Sequence, residues 1–142
     1  MAMEKLDGDF RVVRKIKNEI HCKKGRGYTF EIAGEASYQD ALLSAVGGKK
    51  QENGFKLDKT ATLRPDASNP HDANAIAVFI QNRKVGYLRR SDAPIFGAFL
   101  KEFGAESAVC NAKIVGGWND GKGNEGHFGV KLSLSWPPRV AD

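Results

Sequence analysis

Six short segments of this 142-residue chain have the pattern of a β-strand; apolar and polar residues alternate in most of them, and residues 75–80 are apolar on both faces. In residues 128–136, for example, every second position is Phe, Val, Leu or Trp. Such a period of two is typical of a β-strand with one buried face. The predicted strands are residues 28–33, 55–63, 75–80, 85–88, 108–115 and 128–136.

Two further segments have the spacing of short helices. Residues 38–46 and 92–103 place apolar side chains three or four positions apart. Ser37 is the expected N-cap of the first helix, and Pro94 lies in the first turn of the second, where proline is tolerated. Because the strands are bounded by turns and show no βαβ rhythm, the pattern favours a mainly β fold, a six-stranded antiparallel barrel with two short helices.

A polar loop, residues 64–72, precedes the third predicted strand. It holds Pro65 and Pro70 among Asn, Asp and Ser residues, whose side chains bond to nearby backbone groups, so it is expected to be stiff. The hairpin that follows carries Tyr87 and a basic pair that ends at Arg90. From the residues alone, this combination indicates either a binding surface or a structural turn beside a solvated basic edge.

The net charge of +5 is compatible with nucleic-acid binding. Most of the excess lies in residues 1–27, with eight basic residues against four acidic ones. That segment is interpreted either as a basic arm that follows phosphates or as a segment packed on the barrel edge. Because the chain contains no long apolar run and no signal-peptide core, we expect a cytoplasmic protein without a membrane partner.

The motifs of common enzyme classes are absent from the sequence. Gly116, Gly121 and Lys122 approach a P-loop pattern, but Gly123 stands where the magnesium-binding Ser or Thr is required. No HExxH motif, no Ser-His-Asp arrangement and no second cluster of metal ligands is found. We therefore expect a binding module rather than an enzyme, with no catalytic residues, no metal and no cofactor.

Two motifs resemble the signature of a known family. Residues 69–76 read Asn-Pro-His-Asp-Ala-Asn-Ala-Ile, and residues 85–90 read Val-Gly-Tyr-Leu-Arg-Arg. They are similar to the HIRAN domain pattern of an Asn-Pro-aromatic-Asp-x-Asn-Ala-Ile core followed by a Val-Gly-x-Leu strand and basic residues. The resemblance extends over residues 28 to about 136 and implies an OB-like β-barrel that binds single-stranded DNA at its free 3′ end. It divides the chain into a basic N-terminal extension (1–27), a HIRAN-like barrel domain (28–138) and a C-terminal tail (139–142).

The resemblance also implies roles for individual residues. Asp72 would accept a hydrogen bond from the terminal 3′-hydroxyl, and His71 stands at the aromatic position of the family. Asn69 would shape the loop. Tyr87 and Arg90 stand at DNA-contact positions of the Val-Gly strand.

The chain departs from the family at two places. Human-type members carry an arginine and paired tyrosines after the glycine that ends the first strand. Here Gly34 is followed by Glu-Ala-Ser-Tyr, so the arginine is missing and Tyr38 is the one aromatic that remains. His71 replaces the usual tyrosine. Weaker affinity or a different ligand is the expected consequence.

The resemblance thus implies recognition of single-stranded DNA at a 3′-hydroxyl end in DNA repair or replication. The chain has no helicase motor, so coupling to remodelling would need a helicase or another repair protein in trans. Two alternatives remain at this stage. One is a protein-interaction module that has kept the barrel and lost DNA binding, and the other is a binder of RNA ends or nucleotides.

Overall fold

The computed structural model describes residues 18–142, which form one curled sheet with two short helices. The strands are β1 Glu19–His21, β2 Phe30–Glu31, β3 Phe55–Pro65, β4 Ile76–Ile80, β5 Arg83–Tyr87, β6 Ser107–Gly116 and β7 Phe128–Ser133. A 3-10 helix, Glu35–Tyr38, leads into α1, Gln39–Ala45, and the second helix is α2, Ala93–Glu102. No helix of residues 18–142 is long and apolar enough to cross a membrane.

Six of the strands form an antiparallel sheet in the order β2-β7-β6-β3-β4-β5, which curls into a half-barrel. The two ends of this path meet, because Ala33 and Tyr87 exchange both backbone hydrogen bonds, at 2.8 and 2.9 Å. The predicted mainly β fold with two short helices is therefore confirmed.

Gly86 explains how the two ends of the path approach so closely. A Cβ atom at this position would lie 2.7 Å from the carbonyl oxygen of Ala33 and 2.9 Å from Cδ1 of Ile32. Only glycine leaves room for this contact. The close approach to Gly86 is thus made by the protein's own backbone.

β1 is not among the strands predicted from the sequence. This strand pairs in parallel with the first residues of β6, and the C-terminal tail joins it through a hydrogen bond from the Ala141 N–H to the His21 carbonyl, at 2.8 Å. Part of the predicted N-terminal extension, within residues 18–27, is thus attached to the sheet. Residues 1–17 lie outside the described residues.

The core lies between the concave face of the sheet and the helices. Leu63 of β3, Val78 of β4 and Leu132 of β7 are fully buried there, as are Leu42 of α1 and Phe96 of α2. The period-two and helical spacings of these residues therefore correctly predicted which faces are buried.

The start of the first helix differs from the prediction. Ser37 is not its N-cap, because Gly34, three residues earlier, adopts a left-handed conformation and begins a 3-10 helix that contains Ser37. Gln39 then fixes α1 to β7 by two side-chain hydrogen bonds to the backbone of Phe128, accepting from its N–H at 2.8 Å and donating to its carbonyl at 3.0 Å. This places Tyr38 beside the end of β5.

Candidate nucleic-acid interface

The loop between β3 and β4, residues 66–75, is held by its own side chains. Its base is closed by the Asp66 N–H, which donates to the Ala75 carbonyl at 2.8 Å. The side-chain oxygen of Asn69 accepts from the N–H groups of His71 and Asp72, at 2.8 and 3.1 Å. These are the local bonds by which Asn and Asp side chains stiffen turns.

The carboxylate of Asp72 has one oxygen engaged and one that is available. Oδ1 accepts from the Asn74 N–H at 2.9 Å, so Asp72 also shapes the loop. Oδ2 lies 3.9 Å from Nε of Arg90, and no donor in residues 18–142 forms a hydrogen bond with it. The side chain of Asp72 is 21% exposed. A carboxylate oxygen that is not hydrogen-bonded, on a half-buried side chain such as this one, retains its capacity to accept.

Arg90 joins the end of the hairpin to the loop. Its Nη2 donates to the His71 carbonyl at 2.9 Å, while the side chain as a whole is 73% exposed. The remaining guanidinium N–H groups therefore face solvent beside the Asp72 carboxylate. The His71 side chain is also exposed, and its imidazole forms no hydrogen bond or ion pair with residues 18–142. Asn69, His71, Asp72 and Arg90 thus form one group, which we call the loop cluster.

Tyr38 and Tyr87 form a second group, which adjoins the base of the loop at Asp66. Their rings meet edge to face with centroids 6.4 Å apart. The Tyr87 hydroxyl donates to Oδ2 of Asp66 at 2.8 Å, and it accepts from Nζ of Lys84 at 2.7 Å. The hydroxyl of Tyr87 is therefore engaged within the protein and holds the side chain in place. The group that Tyr87 can offer to a ligand is its ring.

Asp66 and Lys84 complete this second group, which we call the tyrosine cluster, and sequence reasoning missed both. Lys84 also donates to Oδ2 of Asp66 at 3.0 Å, and Ser68 donates to Oδ1 at 2.8 Å. The hydrogen bonds from Lys84 first, and then from Ser68 and Tyr87, lower the pKa of Asp66 from its usual 3.8 to about 2. Burial raises the pKa of Tyr87, so the phenol stays neutral and can donate to the carboxylate at neutral pH.

The structure therefore distributes the six predicted site residues over two adjoining groups. Asn69, His71, Asp72 and Arg90 belong to the loop cluster, and Tyr38 and Tyr87 belong to the tyrosine cluster. Asp66 joins the clusters, because its carbonyl accepts from the Asn69 N–H at 3.1 Å and its carboxylate holds Tyr87. Among residues 18–142, no three His, Cys, Asp or Glu side chains are grouped so that they could hold a metal ion.

The arrangement supplies three kinds of group that a nucleic-acid end requires. A carboxylate oxygen can accept from a hydroxyl, a guanidinium can donate to a phosphate, and aromatic or imidazole rings can stack on bases. These groups are spread over one loop, one strand end and one 3-10 helix, each of which is fixed by backbone bonding.

Comparison with known proteins identifies the family of this chain. The model of the HIRAN domain family matches residues 35–116, more than half of the chain, and this range contains all six site residues. No curated protein and no solved structure matches the chain significantly. The chain belongs to the HIRAN domain family, whose domains are generally nucleic-acid-binding modules.

Proposed function

We propose that this domain recognises single-stranded DNA at its 3′-hydroxyl end, in the service of DNA repair or replication. The observation that carries the proposal is the carboxylate of Asp72, whose Oδ2 accepts no hydrogen bond within residues 18–142 and lies 3.9 Å from Arg90. A terminal hydroxyl is a donor that suits this oxygen. A terminal phosphate or a continuing strand would bring negative charge against it.

Arg90 adds the attraction that brings a strand to the loop. Its exposed N–H groups can hold the phosphate next to the terminal nucleotide, and the loss of counterions from that phosphate makes binding depend on salt. The bond from Arg90 to the His71 carbonyl keeps the guanidinium close to the loop. One strand can therefore place a phosphate on Arg90 and donate its 3′-hydroxyl to Asp72 in the same complex.

The rings of the site provide contacts that do not depend on base identity. His71 is exposed on the loop, and the Tyr87–Tyr38 pair is half-buried at its base. Every base has a π-face, so stacking on such rings tolerates any sequence. We accordingly propose a binding module rather than an enzyme, and one that acts with a helicase or another repair protein in trans.

The test is the substitution Asp72→Asn, which removes the charge and keeps an oxygen that can accept from the Asn74 N–H. Affinities for strands ending in a 3′-hydroxyl and in a 3′-phosphate are measured by fluorescence anisotropy. Because a hydrogen bond to a charged group contributes about 1.5–3 kcal/mol, the wild-type preference for hydroxyl should be roughly tenfold or more, and the variant should lose it.

Asp58→Asn is the matched control, because Asp58 is an exposed carboxylate at the far end of β3, paired with Lys113 at 3.4 Å. It should retain the wild-type preference. An Asp72→Asn protein that is folded and discriminates between the two ends as well as wild type would show that Asp72 only shapes its own turn.

A further inference from the structure

The outer face of the sheet carries an arginine stacked on an aromatic ring. In β4, Ile76, Val78 and Ile80 point into the core, whereas Phe79 points to the opposite face and is half-buried. Cζ of Arg64 lies 4.0 Å from the centroid of the Phe79 ring. Phe79 is half-buried, and the exposed guanidinium of Arg64 makes a cation–π contact with its ring.

The strand register places this pair next to the candidate site. Arg64 pairs with Ala77, and Ala77 pairs with Tyr87, so the three residues form one row across β3, β4 and β5. Neighbouring strands lie about 4.8 Å apart, which puts Arg64 roughly 10 Å from Tyr87. Phe79 in turn pairs with Lys84 of the tyrosine cluster.

Arg64 is a cation of this face that has no acidic partner among residues 18–142. Lys84 is neutralised by Asp66 at 3.0 Å, whereas no carboxylate in residues 18–142 forms an ion pair with Arg64. Arg64 is exposed, and its Cζ lies over the Phe79 ring at cation–π distance. A guanidinium fixed in this way loses less freedom when it binds a phosphate, and its plane can also stack on a base.

We propose that Arg64, supported by Phe79, forms a second subsite that binds an upstream nucleotide of the same single strand. This inference rests on the proposed function, since it extends the strand from the end site onto the outer face. A separation of roughly 10 Å corresponds to about three steps of 3.4 Å in a stacked strand. The subsite therefore receives the phosphate of a nucleotide about three positions to the 5′ side of the one that lies at Tyr87.

Strand length separates the two sites experimentally. Strands of three and of ten nucleotides, both with a 3′-hydroxyl, are titrated against wild type and Arg64→Ala. The variant should bind the ten-nucleotide strand at least fivefold more weakly, with a salt slope reduced by about 0.7, as expected for one lost phosphate contact in a single strand. Its affinity for the three-nucleotide strand should stay within twofold of wild type.

Lys56→Ala is the matched control, because Lys56 is an exposed cation on the same strand that pairs with Val115 at the opposite end. It should bind both strands as wild type does. Two milder variants test the stacking itself: Arg64→Lys keeps the charge, and Phe79→Leu keeps an apolar side chain but removes the ring. Each should weaken binding of the ten-nucleotide strand at least twofold and leave the short strand unaffected.

The two proposals fail in different ways. If Arg64→Ala binds the ten-nucleotide strand as tightly as wild type, or if Arg64→Lys does, the second subsite is wrong while recognition of the end stands. If wild type binds neither strand, both proposals are wrong. Melting temperatures of all variants show whether any loss of binding comes from loss of folding.

Discussion

At the scale of single residues, the loop contains two carboxylates in contrasting environments. Asp66 accepts hydrogen bonds from Ser68, Lys84 and Tyr87, so both of its oxygens are engaged within the protein. Asp72 has one oxygen engaged by its own turn and another without a donor. The first arrangement stabilises the loop, and the second leaves an acceptor for a ligand.

The bonding of Asp66 predicts a dependence of stability on pH. Its pKa is about 2 in the folded protein, below the usual 3.8. A carboxyl group whose pKa is depressed by folding contributes stability that is complete above about pH 4 and is lost as the pH falls towards 2. Its side chain is 17% exposed, and after allowance for solvent screening we expect a contribution of about 1 to 2 kcal/mol.

Urea unfolding of wild type and of Asp66→Asn between pH 2.5 and pH 6 measures this contribution. The difference in unfolding free energy between the two proteins should shrink as the pH falls, because Asp66 of wild type becomes protonated. The other carboxylates are common to both proteins, so their titration cancels in the difference. A difference that stays constant over this range would mean that Asp66 is not held as a charged acceptor.

At the scale of elements, the hairpin of β4 and β5 was largely predictable from the sequence. The patterns of residues 75–80 and 85–88 predicted the strands, and the turn between them holds Gln81 and Asn82 with φ of 52° and 64°, a conformation that Asn tolerates. A glycine inside a strand, such as Gly86, is typical of a point where another group approaches closely. What approaches it is the backbone of Ala33, and local sequence patterns contain no information about a partner so distant along the chain.

This contact predicts opposite effects of two glycine substitutions. Gly86→Ala should lower the unfolding free energy by about 1–3 kcal/mol, because the added methyl group would meet backbone and Ile32 at under 3 Å. Gly97→Ala, in α2, should raise it by about 0.5–1 kcal/mol, because nothing lies within 4 Å and alanine favours a helix. Thermal unfolding of both variants checks the signs, and a neutral Gly86→Ala would contradict the closure of the sheet at this point.

At the scale of the whole molecule, the sequence predicted the strands of the antiparallel sheet and the two helices, whereas strand order required the structure. β1 was missed because it has three residues, too few for a periodic pattern, and because it pairs in parallel with a distant strand. Five of the six candidate site residues came from the two motifs, and Tyr38 came from the segment that follows Gly34. Asp66, Lys84 and Arg64 escaped notice because their contacts depend on the register of β3, β4 and β5.

The central claim is that the folded domain recognises the end of a strand. Titrating wild type by fluorescence anisotropy with two strands of identical sequence, one ending in a 3′-hydroxyl and the other in a 3′-phosphate, tests it most directly. We predict that the hydroxyl strand binds roughly tenfold or more tightly, since the Asp72 carboxylate accepts from a hydroxyl and repels a phosphate. Equal affinities for the two strands, or no binding of either, would contradict the account.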